Sequence, residues 1–140
     1  MSEQLFQTYI DDSKVKNVSQ CVVSVRVPFM ALCPIPNRVH GEPEKPYGGT
    51  LSVIYMPRDR LLEWDSFAQW VRCLSETKLS AEQALAYISE EFIRVCDPVA
   101  VLSKLEIDSP HHLPIQVSRM YVDSKSMSTD SWIKMLRTVI

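Results

Sequence analysis

Hydrophobic residues in this chain recur at two periods, in separate blocks, and the order of those blocks constrains the fold more than any motif does. Between Cys21 and Met30, Val23, Val25, Val27 and Phe29 alternate with Val22, Ser24 and Arg26, the period of a half-buried strand. Pro28 cannot donate to a ladder, so this strand belongs at a sheet edge or a bulge. From Thr50 to Met56, Leu51, Val53 and Tyr55 share a second strand face, closed by the turn Pro57-Arg58-Asp59. The period then changes. Over Leu61 to Leu74, the residues Trp64, Phe67, Ala68, Val71 and Leu74 recur at helical spacing. Ser80 with Gln83 three residues on is a capping-box signature; the stripe Ala84, Leu85, Ile88, Phe92, Val95 follows, and Asp97-Pro98 ends it. Alternation returns in Val101, Ser103, Leu105, Ile107 and in Ile115, Val117, Arg119, Tyr121, with Asp108-Ser109-Pro110 as the turn between them. A Ser-rich joint leads to a short helical pattern aligning Trp132, Leu136 and Val139. Strands gathered around a central helix pair predict an α+β fold, an antiparallel four-stranded sheet with two helices on one face.

The polar residues 1–19 read as an N-terminal arm, 20–122 as the folded domain, and 123–140 as a C-terminal tail with a short helix. With 140 residues, 46% of them hydrophobic and 23% charged, the chain can bury a core without disulfides. Its formal charge of -2 gives no global basic field for nucleic acid. Three Gly against nine Pro exclude the glycine-rich nucleotide loops: Gly48-Gly49 is followed by neither a further Gly nor Gly-Lys-Ser/Thr. The start has no signal-peptide pattern, and no run reaches the ~18 apolar residues of a membrane span. Cys21, Cys33, Cys73 and Cys96 are widely spaced, with no C-x-x-C. The expectation is reduced thiols, a cytoplasmic setting and no membrane.

Residues Cys33 to Gly49 carry four prolines and read as a long loop, the kind that more often serves function than connection. Cys33 opens it in Ala31-Leu32-Cys33-Pro34-Ile35-Pro36. Against a chemical role stands the habit of free cysteine to pack as a small hydrophobe. That habit accounts for Cys21, Cys73 and Cys96, which lie within apolar patterns. Glu63 and Glu82 each stand in the first turn of a helix, where a carboxylate offsets the macrodipole by about 0.3–1 kcal/mol. His111-His112 reads as a solvated turn, without a zinc-ligand partner at the right spacing, so no metal is expected. His40, Glu42 and Glu44 read as solvated unless the long loop folds over a pocket. Trp64, Phe67 and Trp70 read as core.

Five short stretches in order sharpen this reading: Cys33-Pro34, Tyr55-Met56-Pro57, Glu63-Trp64-Asp65-Ser66, Ser80-Ala81-Glu82, and Glu91 to Asp97-Pro98. Together, over roughly Val23 to Ile107, they resemble the tunnelling-fold (T-fold) family, and within it the NADPH-dependent 7-cyano-7-deazaguanine reductases of queuosine biosynthesis. The resemblance implies that Cys33 adds to the nitrile carbon to give a covalent thioimide, which requires a lowered thiol pKa or a nearby base. It implies that Glu82 accepts hydrogen bonds from the guanine-like edge of a purine- or pterin-like ligand, with Glu63 a second substrate-binding residue. It implies subunits that assemble side by side into barrels, and so a homo-oligomer.

The chain also departs from the pattern. The family's general-acid aspartate corresponds to about Tyr47, with extra residues inserted before it; His40, Glu42 or Glu44 could supply an acid instead. The lysines turned toward NADPH are replaced by Asp65 and Ala68, and an acid facing a dinucleotide phosphate has the wrong sign. The histidine beside the second glutamate is Ala81. Three alternatives to the reductase follow. One is an amidine-forming transferase acting on 7-cyano-7-deazaguanine in transfer RNA, which needs no NADPH and brings the only nucleic-acid partner considered. Another is a GTP cyclohydrolase-type enzyme with Cys33 and a histidine on a metal. The last is a T-fold binding or assembly protein without catalysis.

Overall fold

The computed structural model describes residues 6–10, 21–34, 46–108 and 113–139. Its main sheet has the order β2-β3-β5-β6, all antiparallel, from β2 (Val23–Leu32), β3 (Pro46–Met56), β5 (Ala100–Ile107) and β6 (Ile115–Val122). A two-stranded sheet pairs β1 (Thr8–Ile10) with β4 (Arg60–Leu62). The helices are α1 (Trp64–Arg72), which runs on into a 3-10 turn at Cys73–Glu76, α2 (Ala81–Cys96) and α3 (Thr129–Val139). The α+β, antiparallel four-stranded expectation is met.

Side-chain alternation gives the sheet two faces. On one, Val27, Phe29, Leu51, Val53, Tyr55, Val101 and Leu105 pack against Phe67 and Val71 of α1 and Ala84, Leu85, Ile88, Phe92 and Val95 of α2. On the other, Ile54, Met56 and Ala100 pack with Trp132 and Leu136 of α3. The last helix therefore covers the opposite face from α1 and α2. Sequence periodicity placed Val139 in the same stripe, but Val139 is exposed.

Four other expectations need correction. Residues 6–10 are not a free arm: Phe6 is buried, with its ring 5.0 Å from those of both Phe67 and Trp70. Trp64 is not core; it is 62% exposed, because the helix begins only there and the preceding residues 60–62 are extended, so the buried ring is that of Trp70. Cys21 and Cys73 are exposed, Cys73 because the chain tightens into the 3-10 turn there and leaves the α-helical phase; Cys96 is buried as expected. Finally, β3 starts at Pro46 rather than Thr50. Gly48 and Gly49 thus belong to a central strand, where a Cβ on Gly49 would lie 1.8 Å from the Glu106 backbone oxygen. Only glycine permits that approach between β3 and β5.

The joints follow local chemistry. Ser80 accepts from the Gln83 N–H while the Gln83 side chain accepts from the Ser80 N–H, the reciprocal box expected. Asp97 closes α2 in the left-handed conformation (φ 47°) ahead of Pro98. Arg58, just past β3, donates to Asp123 (2.6 Å) and Ser126 (2.8 Å), fixing the turn that leads into α3. Among the described residues, no helix is long and apolar enough to cross a membrane.

Candidate functional site

The last residues of β2 run beside the connection between α1 and α2. Leu32 N–H donates to the Thr77 carbonyl (3.0 Å), and Leu79 N–H donates to the Leu32 carbonyl (3.1 Å). These two bonds form a short parallel bridge of Leu32 with Lys78. They hold Cys33, the next residue, against the segment that becomes the first turn of α2. Cys33 shares strand parity with Phe29 and Ala31, and its half-buried side chain packs on the main core. Glu82 stands exposed in that first turn of α2.

Tyr47 joins the two. It pairs with Ala31 across β2 and β3, packs its ring 5.9 Å from that of Phe29, and donates its hydroxyl to the Leu79 carbonyl at 2.5 Å. Burial first, and then the neighbouring charges of Cys33 and Glu82, push its phenol up to about 12. The tyrosine thus stays protonated, and Cys33 and Glu82 lie within its electrostatic reach. Tyr47 was visible in the sequence only as the residue standing at the position of the family's acid. Its burial follows from β3 starting early: the alternation of Leu51, Val53 and Tyr55 extends backwards to Tyr47.

Glu63 lies elsewhere in the hydrogen-bond network. Its carboxylate accepts from the N–H groups of Ser66 (2.7 Å) and Asp65 (3.1 Å), capping α1, and its own N–H donates to Gln7. The Ser66 bonds, then that from Asp65, hold its carboxyl below the usual carboxylate range. That geometry is the helix-capping role in full. His40, Glu42, Glu44, His111 and His112 lie outside the described residues. Among the described residues, no group of three or more His, Cys, Asp or Glu could hold a metal ion.

Two cavities open along the seam between β2 and α1, of about 330 Å³ and about 400 Å³, both lined in part by Pro28 and Ala68. The larger also touches Trp64, Arg26 and Asp65. The smaller is lined in part by Arg72 and by no acidic residue.

No protein-family model matches the sequence, and none of the curated proteins is similar to it. Among solved structures, however, a crystal structure of the archaeosine synthase QueF-Like in the apo form superposes with a TM-score of 0.58. The two chains share a fold. At 15% identity, the match covers 73% of this chain and 94% of the archaeosine synthase. The shared architecture accords with the T-fold expectation.

Proposed function

We propose that this protein binds 7-cyano-7-deazaguanine or a close relative and engages its nitrile through Cys33. The observation that supports this reading most is the pair of backbone bonds from Leu32, which hold the Cys33 end of β2 against the segment leading to Glu82. Glu82 accepts from the ring N–H and exocyclic amine of the ligand, a donor pair that a carboxylate matches with charge-assisted bonds. Cys33 Sγ adds to the nitrile carbon as the thiol proton passes to the nitrile nitrogen, giving a neutral thioimide.

The fold shared with an archaeosine synthase favours ammonia over hydride for the next step, since archaeosine carries an amidine at that carbon. Ammonia adds to the thioimide carbon, the C–S bond breaks, and the thiol leaves with its proton restored. The chemistry needs no electron donor, which suits a helix bearing Asp65 and Ala68 in place of cations.

Intact-mass measurement after incubation with 7-cyano-7-deazaguanine tests the first step. An adduct of one ligand mass is expected, lost in Cys33→Ala and retained in Cys73→Ala. Ammonium should then release the amidine, while NADPH consumption would return the reading to the reductase. If neither adduct nor binding is seen, the nitrile reading fails.

A further inference from the structure

We propose that Tyr47 is a positioning residue, setting the spacing between Cys33 and Glu82 by holding the Leu79 carbonyl. The inference rests on the roles assigned above to those two residues, and concerns how the fold keeps them together.

Residues 80–83 form one unit, because Ser80 and Gln83 satisfy each other's backbone N–H groups. Glu82 is carried inside that unit, so its position depends on how the unit is attached. The attachment point is Leu79, directly before Ser80. Its N–H is held from β2, through Leu32; its carbonyl is held from β3, through the Tyr47 hydroxyl at 2.5 Å. The strand that ends at Cys33 and the strand that carries Tyr47 are themselves in fixed register, Leu32 opposite Pro46 and Ala31 opposite Tyr47. With the Leu79 carbonyl released, the two backbone bonds of Leu32 to Thr77 and Leu79 remain, both upstream of Ser80, and the peptide leading to Ser80 can turn. The first turn of α2, with Glu82, then moves relative to Cys33. Phenylalanine would fill the same space beside Phe29 but could not hold that carbonyl.

Tyr47→Phe tests the clamp without needing a ligand. It keeps the ring and its packing, so a folded variant is expected. Amide hydrogen exchange over Leu79 to Gln83 should quicken about tenfold while β5 and β6 are unchanged. Unchanged exchange over Leu79 to Gln83 overturns the proposal. Affinity for 7-cyano-7-deazaguanine, measured by calorimetry on Cys33→Ala protein so that no covalent step intervenes, tests what the clamp positions. Adding Tyr47→Phe should weaken binding about tenfold when Glu82 is present, and less than about twofold in a Glu82→Gln background. Equal losses in both backgrounds would mean that Tyr47 supports the fold generally, and would overturn the positioning role. Should the Cys33→Ala protein bind no nitrile ligand while Tyr47→Phe still quickens exchange, the functional reading fails and the clamp stands.

Discussion

Three buried groups make this protein sensitive to alkali. Burial pushes Tyr47, Tyr55 and Cys96 each up to about 12, from ordinary values of 10.0 for the phenols and 9.0 for the thiol. In the unfolded chain these groups release their protons at the ordinary values; in the folded protein they hold them. Between pH 9.0 and about 12 the folded state therefore binds more protons, and each rise in pH favours unfolding. Thermal melts should be flat from neutrality to about pH 8.5 and then fall steadily, as the thiol begins to differ and the phenols follow. A melting temperature unchanged at about pH 11 would contradict this. Burial raises Tyr55 even though its oxygen accepts the Leu62 N–H at 3.0 Å, a bond that ties β4 to the core and by itself favours the phenolate.

At the scale of elements, the start of α2 matters most, because it carries Glu82. The Ser80 side chain satisfies one N–H that the helix cannot satisfy itself, and removing such a cap costs about 1 kcal/mol. Ser80→Ala should lower the free energy of unfolding by that amount in urea titration, with the slope unchanged; a loss below about 0.3 kcal/mol would show that the box contributes little. The same element shows what could be read in advance. Ser80 and Gln83, the stripe from Ala84 to Val95 and the stop at Asp97-Pro98 were all legible, because caps and helical stripes are local in sequence. The first helix was less so. Its period was extrapolated back to Leu61, yet residues 60–62 pair with β1, a contact fifty residues distant that no local pattern announces. That pairing also delays the helix to Trp64 and leaves that ring outside the core.

For the whole molecule, β2 and β6 are the outer strands of the main sheet among the described residues, since the order β2-β3-β5-β6 does not close on itself. Pro28 blunts one edge at a single position, as its place in the sequence implied, and Leu32 is bonded to Thr77 and Leu79, but alternate residues along the rest of β2 and along β6 turn their backbone groups outward. Pairing between subunits would satisfy them, and light scattering at micromolar concentration should give a mass above that of one chain. A monomer across the concentration range would show that the edges are protected in some other way.

The sequence by itself determined the order and kind of the four main-sheet strands and the three helices, but not β1 or β4: alternation and helical spacing depend on how side chains project from a few adjacent residues. It also determined most of which faces are apolar, and its motif order made Cys33 and Glu82 candidates. Tertiary structure alone decided what each apolar face meets. It sent α3 to the side of the sheet away from α1 and α2, drew Phe6 into the aromatic core, and began β3 early enough to bury Tyr47. It also joined Leu32 to Thr77 and Leu79, and so brought the Cys33 end of β2 to the segment that leads into α2. A periodic pattern says that a face must be covered; which distant segment covers it depends on packing and backbone pairing that form only when the whole chain has folded.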